Sequence, residues 1–332
     1  MKAMVLRNPK PIEDEPLLLE EVSKPHPSEK EILIRVRACG VCRTDLHIAE
    51  GELPDSKLPL ILGHQIVGEV VEQGSKVTKF NTGDKVGVPW LYSACRKCTY
   101  CANGLENLCE KAQFTGYHVD GGYAEYAIAR EDFTYSIPND FSFHESAPLL
   151  CAGVIGYRAL KLSGVREGHN LGIYGFGSSA HITIQVARHL GCCVFVFTRS
   201  PEHKKLAIQL GAEWVGRASD IPPQKMDGSI IFAPAGWMVP EALKTLNKGG
   251  TLVTAGIYMS PIPRMDYNLI YGERSIQSVA NMTRKDAVEL LKLAGDIPIR
   301  TEVSTFSLAE ANKVLRLLKE SKIKGTAVLS LE

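Results

Sequence analysis

Apolar and polar positions alternate with a short period in the first part of the chain and with a longer one after about residue 146. Residues 1–38 are broken by prolines and charges, yet Glu31–Ala38 (Glu-Ile-Leu-Ile-Arg-Val-Arg-Ala) carries a strong strand pattern. Ile66–Glu72 and Lys85–Val88 are further β-rich runs, separated by turn signals at Gly74-Ser75, Asn81-Thr82 and Gly83-Asp84. Short strands at such spacing predict a β-rich, barrel-like domain. The pattern then changes. Glu145–Leu162 is apolar at helical spacing, and Leu171–Tyr174 is a short apolar strand before a helix, His181–Leu190, stopped by Gly191. Cys193–Phe197 (strand), Pro201–Leu210 (helix), Gly228–Phe232 (strand), Val239–Leu246 (helix) and Gly250–Ala255 (strand) follow. That alternation predicts an α/β unit with a doubly wound parallel sheet. After about residue 280, two amphipathic helices, Arg284–Leu293 and Leu308–Lys319, flank Thr301–Phe306, and Thr326–Leu331 forms a last strand. These are too few for a third domain and are expected to return to the first.

Composition narrows the function class. A chain of 332 residues suggests about two domains. Lys+Arg and Asp+Glu nearly cancel, 38 against 37, which argues against a nucleic-acid partner. No run of about 18 apolar residues is present, so no membrane partner is expected. The N-terminus lacks the apolar segment of a secretory signal, and a cytoplasmic enzyme is the expectation. There are nine cysteines, an odd number, and in such a compartment clustered cysteines read as metal ligands rather than disulfides.

The chemistry concentrates in Gly40–His47, Gly-Val-Cys-Arg-Thr-Asp-Leu-His. A second short stretch, Gly63-His64-Gln65, follows, and Cys151 stands alone downstream. Cys42, His64 and Cys151 are proposed to share one zinc, although any one of them could serve packing instead. Both candidate loops follow predicted strands, where a β scaffold positions functional side chains. Cys95-x2-Cys98-x2-Cys101-x7-Cys109 is a separate cluster within residues 95–109. It suits a closed tetrahedral zinc site of four thiolates. A thioredoxin-like pair needs two cysteines, not four. An iron–sulfur loop brings its fourth cysteine sooner and follows it with Pro, where Glu110 stands here. A nucleic-acid zinc finger needs more basic and aromatic residues nearby. The glycine turn Gly175-Phe-Gly177-Ser-Ser-Ala180 lies between predicted strand and helix, as in a dinucleotide site with Ala at the third glycine position. Its helix N-terminus would face the pyrophosphate.

With these residues together, the chain resembles the zinc-dependent medium-chain alcohol dehydrogenases over essentially its whole length. Gly121-Gly122-Tyr-Ala-Glu125 adds to the likeness. The resemblance implies a GroES-like β-rich catalytic domain, residues 1–150 and 280–332, around a Rossmann cofactor domain, residues 151–279. It implies two zinc ions per chain, one on Cys42, His64 and Cys151, the other on Cys95, Cys98, Cys101 and Cys109. Asp45 is placed like the carboxylate that orients the histidine ligand. Thr44 is similar to the hydroxyl that takes the alcohol proton, and His47 to the exit of that relay. Arg43 looks like a pyrophosphate contact. Small alcohols and aldehydes are the implied substrates, and a homodimer or homotetramer the implied assembly, pairing through the sheet edge of the cofactor domain. Two thiolates and a neutral imidazole leave such a zinc site formally neutral with one position open, where a bound alcohol would acidify strongly.

Departures from the family pattern affect the details. Gln65 stands where the family commonly has Glu after the histidine ligand, so an exchange of that side chain with water at the metal is not expected. The second strand of the cofactor domain ends Phe197-Thr198-Arg199-Ser200. Thr198 replaces the usual Asp that accepts from the adenosine ribose, and with Arg199 and Ser200 adjacent, NADP is favoured over NAD. Ile155 replaces a Thr near the nicotinamide, and Thr326 an Arg near the pyrophosphate. Trp90 resembles an aromatic pocket wall for short primary alcohols, and Leu53 stands where a second aromatic often sits. Tyr258 and Met259 are expected near the nicotinamide edge, Tyr258 lining the substrate pocket with Leu53 and Trp90, and Ile257 is expected to contact the cofactor. The alternatives are a related zinc-dependent reductase of bulkier aryl or allylic aldehydes and, outside enzymes, a zinc-bearing structural or binding protein. The latter leaves Cys42, His64, Cys151 and the glycine turn unexplained.

Overall fold

A computed structural model describes residues 1–331. They divide into two compact units: Met1–Cys151 together with the stretch from Thr283 onward, and Ala152–Met282. Among the described residues no helix is long and apolar enough to cross a membrane.

The first unit is organised on Glu31–Val41, an eleven-residue strand. One edge of it serves two partners. Residues 31–35 pair with Tyr126–Arg130, and residues 38–41 pair with Thr326–Ser330, both antiparallel. The other edge pairs with Ile66–Gln73, which pairs in turn with Lys85–Val88. Tyr135–Ser136 and Val303–Ser307 complete a seven-stranded sheet. Register shifts between Leu33 and Ile34 and between Val36 and Ala38 bend the long strand. Ile32, Ile34, Val36, Ile66, Val70, Val86 and Leu329 fill the core this sheet wraps. Leu17–Glu21, Lys2–Leu6 and Leu60–Ile61 form a second, three-stranded sheet. The C-terminal helix Ala311–Lys319 packs on Arg43–Ala49, burying Val314 and Leu315.

The second unit holds a six-stranded sheet in the spatial order Trp214–Gly216, Cys193–Phe197, Asn170–Tyr174, Met226–Ile231, Leu246–Thr254, Ser275–Ser278. Every neighbouring pair is parallel. The chain enters at Asn170–Tyr174, winds outward in one direction, then crosses back to Met226–Ile231. That reversal is the doubly wound switch point. Buried runs such as Val194–Phe197 and Ile230–Ile231 reflect a sheet covered on both faces. Tyr174 stacks on Phe197 at 4.0 Å between ring centroids, and its hydroxyl meets Thr245 Oγ1 at 2.8 Å.

Three local differences from the sequence pattern have physical causes. Glu145–Leu162 is not one helix. Phe143–Ser146 gives way to a tight turn, Ala147–Leu150, before Ala152–Leu162. Pro148 offers no amide to an α-helical ladder there, so Cys151 falls at the break. The helix after the glycine turn begins at Ser178, not His181, because Gly177 already serves as its N-cap. Trp214–Gly216 and Ser275–Ser278 carry no strand signal of their own. The first is three residues long, and the second is exposed at all four positions on the sheet edge.

Candidate functional site

Cys42 is delivered by the long strand. Val41 ends that strand in register with Ala327, and Cys42 becomes the N-cap of Arg43–Ala49. His64 comes from the neighbouring strand, since Cys39 pairs with Ile66 just beyond it. Gly63 before it adopts φ +97°, and a Cβ there would lie 2.5 Å from Tyr123 and 2.8 Å from Cys39 Sγ. Glycine is required by both backbone and space. The break after Leu150 brings in Cys151. The three ligand atoms all lie within 4.8 Å of one another. Cys42 Sγ is 3.2 Å from His64 Nε2. Tetrahedral zinc with N/S bonds of about 2.0–2.3 Å places its ligand atoms about 3.3–3.8 Å apart, so two thiols and an imidazole in this arrangement fit that ion.

Asp45 is fully buried and ties the Cys42 turn to the Gly63-His64 loop. It accepts hydrogen bonds from Cys42 N at 2.9 Å and Gly63 N at 3.2 Å, and meets His64 Nδ1 at 3.1 Å. With Nδ1 held this way, Nε2 is left to face the thiols. A hydrogen bond with Cys151 holds the Cys42 thiol well below its usual value, aided by the His64 charge and opposed by burial. That same bond, with burial, pushes Cys151 well up. Burial opposes charge on His64, but Asp45 and the Cys42 thiolate outweigh it and raise its pKa. Burial lifts Asp45.

The remaining residues of the turn take separate directions. Thr44 is buried, and its amide donates to Cys42 Sγ at 3.4 Å. Arg43 reaches Leu318 O and Ser321 Oγ, both at 3.4 Å. His47 pairs through Nδ1 with Glu52, a residue the motif reading passed over. Gln65 is buried over Gly40, and its carboxamide makes no hydrogen bond among the described residues.

Trp90 meets the His64 ring edge-on at 4.9 Å. It stacks on Phe114 (5.1 Å) and on Tyr117 (5.7 Å). Neither Phe114 nor Tyr117 was legible as a site residue, because nothing in their spacing points to Trp90. Leu53 is half-buried against the same core.

Cys95, Cys98, Cys101 and Cys109 also bring their sulfurs within 4.8 Å of one another. Cys98 N and Cys95 N donate to neighbouring sulfurs at 3.3 and 3.5 Å. Backbone donors from Lys97 and Cys98 lower Cys95 to about 6, whereas burial and its thiol neighbours push Cys101 up to about 12. Four thiols at this range, with amides aimed at the sulfurs, fit a closed zinc site. Glu106, buried in the same loop, accepts from Arg284 N and Nε at 2.9 and 3.0 Å.

In the second unit, Gly175 turns the chain at φ +84°, with Ala233 N 3.0 Å from where a Cβ would stand. Gly177 has nothing within 4 Å of that point, leaving room for a ligand to approach the backbone. Ala180 is buried on the helix. Thr198 is buried after the second strand, and Arg199 is exposed. Ser200 caps Pro201–Gln209, accepting from His203 N at 3.2 Å and donating to Glu202 at 2.5 Å. Ile155 is half-buried, Ile257 and Tyr258 are exposed, and Thr326 is buried in the strand beside Val41.

Residues 28–139 match the alcohol dehydrogenase GroES-like domain family, and residues 180–296 the zinc-binding dehydrogenase family. The chain is 44% identical over 335 residues to a probable alcohol dehydrogenase, AdhA, of Mycobacterium tuberculosis, covering 99% of this chain and 97% of that one. It is 40% identical to an alcohol dehydrogenase of Geobacillus stearothermophilus, with both chains fully covered. The structure of CAD from Helicobacter pylori, complexed with NADP(H), superposes with a TM-score of 0.89 at 25% identity, covering 99% of this chain and 97% of that one.

Proposed function

The chain belongs to the zinc-type medium-chain alcohol dehydrogenases, and from that premise we propose that it interconverts small primary alcohols and aldehydes using zinc and NADP(H). Oxidoreductase chemistry on alcohols and aldehydes follows from the family; the metal count, cofactor choice and substrate are our reading. The observation that carries it is the meeting of Cys42, His64 and Cys151 with Asp45 on the imidazole.

These residues would hold one zinc, which when bound supplies Lewis acidity that lowers the pKa of an alcohol at its open position. A nicotinamide supplies the acceptor of the hydride. Asp45 fixes the tautomer and orientation of His64. The Thr44 hydroxyl takes the alcohol proton, and His47 passes it outward. Trp90, stacked on Phe114 and Tyr117, walls the space beside His64 and excludes branched chains. The cysteines at 95, 98, 101 and 109 would hold a second zinc that stiffens a loop with little core of its own.

NADP(H) is supported by the absence of an acidic side chain at Thr198 and by the exposed guanidinium of Arg199. The exposed edge strand Ser275–Ser278 supports pairing of two copies through the sheet edge, which light scattering on purified protein tests directly. The deciding experiment is a panel of alcohols followed by absorbance of the reduced cofactor, with NAD and NADP in parallel, beside metal analysis. Preferred turnover of short primary alcohols with NADP and two zinc ions per chain is expected. A strong preference for NAD sinks the cofactor assignment. A preference for cinnamaldehyde-like substrates moves the pocket to the bulky class. One zinc and no turnover would falsify the enzyme reading.

A further inference from the structure

The loop that carries the four clustered cysteines has almost no apolar core. Among the described residues 95–109, the buried ones are Glu106, Asn107 and Cys109, while Tyr100 and Leu108 are exposed. Arg96 and Glu106 reach out of it to other parts of the first unit. Arg96, at φ +61° between Cys95 and Cys98, meets Asp132 at 3.2 Å. Glu106, three residues before Cys109, is 5% exposed, and one of its carboxylate oxygens takes both the amide and the Nε of Arg284. The Arg284 guanidinium also lies over the Phe133 ring, 5.4 Å from its centroid. An exposed pair such as that of Arg96 contributes little. Taking one partner from a buried pair leaves a charge without compensation. Glu106 is therefore the stronger anchor of the loop.

Arg284 is the first residue of the helix Arg284–Asp296. The first amides of a helix find no partner within it. Thr283 Oγ1 accepts from Asp286 N at 3.2 Å, and Asp286 takes the Thr283 amide at 2.9 Å. The Arg284 amide is met from outside the helix, by Glu106 at 2.9 Å. This helix starts where the chain re-enters the first unit, at Thr283. We propose that Glu106 is a metal-gated clamp on that re-entry point: zinc on Cys95, Cys98, Cys101 and Cys109 holds the loop, and the loop holds Glu106 on Arg284. The inference rests on the second zinc. Without the ion, residues 95–109 have too little buried apolar surface to stay in place, so Glu106 withdraws and the Arg284 amide and guanidinium turn to water. The coupling is reciprocal. If the metal favours the closed clamp, the closed clamp strengthens metal binding by the same factor.

The test uses the zinc-loaded full chain and the variants Glu106→Gln, Cys101→Ser and the double variant, with Asp132→Asn as a control for the Arg96 pair. Glutamine keeps the size of Glu106 and an acceptor for the Arg284 amide but gives up the charge. Amide hydrogen exchange, read by mass spectrometry on peptides covering 283–290, reports opening of the helix start. Exchange there is expected to rise about 10-fold or more in Cys101→Ser and in Glu106→Gln. The double variant should exchange no faster than Cys101→Ser, and Asp132→Asn should keep the parent rate. Chelator competition measures zinc affinity, the cysteine-cluster phase being the one missing from Cys101→Ser. In Glu106→Gln that phase should show zinc held about 5–50-fold less tightly, within the range of coupling between linked sites. A helix start that stays protected in Cys101→Ser, while 95–109 exchanges freely, overturns the proposal. So does a cluster affinity in Glu106→Gln within about twofold of the parent. If Cys101→Ser does not fold, the parent stripped of zinc by chelator gives the same comparison. Metal analysis separates the two readings: a parent with no zinc on the four cysteines refutes the second zinc, and the gating with it, whatever Glu106→Gln does to the helix.

Discussion

Asp45→Asn is the most informative single change at the zinc site, because it alters charge and donor pattern while keeping shape. In the parent, one carboxylate oxygen serves Gly63 N and His64 Nδ1, and the other serves Cys42 N. An asparagine has one oxygen. Turned toward Gly63 and His64, it aims its NH2 at the Cys42 amide. Turned the other way, it faces two donors. Either way at least one buried donor is left unpaired, at a cost of about 1–3 kcal/mol. For a unit of about 200 residues that is roughly 2–12 °C in Tm without metal. Zinc affinity should fall about 10–100-fold, as for other groups that orient a ligand histidine. Chelator competition measures the affinity, and thermal unfolding of the metal-free protein measures the packing. Affinity within twofold of the parent, in a variant that still folds, would mean that Asp45 does not set the orientation of His64.

Other consequences can be checked alongside. Metal binding must displace the protons that Cys151 and His64 hold, since both pKa values are raised in the free protein. Zinc affinity should therefore rise with pH, by up to about tenfold per unit for each proton released, and fall on acidification; a flat affinity from pH 6 to 8 would contradict this. If the proposed count of two zinc ions per chain holds, Cys101→Ser should remove one of them and lower Tm while the ion proposed for Cys42, His64 and Cys151 stays bound, as metal analysis and calorimetry will report. Trp90→Ala should move the kcat/KM preference toward branched or aryl alcohols by about 10-fold or more, since it deletes a stacked wall beside His64; an unchanged substrate ranking removes Trp90 from the pocket.

Legibility in the sequence followed how local each signal is. The strand–turn–helix at Gly175–Ala180 could be read because its glycines, helix and flanking strands lie within one short window. The same holds for the four clustered cysteines. The strand Ser275–Ser278 was not legible: it is polar and exposed, and joins the sheet only because Leu246–Thr254 offers a free edge. Glu52 carried no motif, since its meaning depends on the turn at Gly51. Phe114 and Tyr117 became visible only when the fold stacked them on Trp90. The resemblance placed Asp45 beside the histidine ligand, but its three hydrogen bonds are tertiary facts.

The return of the chain's last segment to the first unit has a consequence for the metal site. Ala327 to Ser330 pair with Val41 back to Ala38, the residues that lead directly into Cys42. Without that ladder the end of the long strand would lack a partner on one side, while Ile66–Gln73 holds the other. Thr326, which stands where the family resemblance has an arginine in some members, is buried at the start of this strand. A long arginine side chain would have to leave the core there. The helix before it adds a second hold, as Ala311–Lys319 packs on Arg43–Ala49 and Lys319 bridges Glu13 and Glu50. Cys42 is thus fixed by the final residues of the sequence, and Cys151 by a break more than a hundred residues downstream of it. Pairings of such separation carry a large loop-closure cost. All three ligand atoms are in range in the folded unit, so an ion that binds them there would stabilise that unit against opening at either seam.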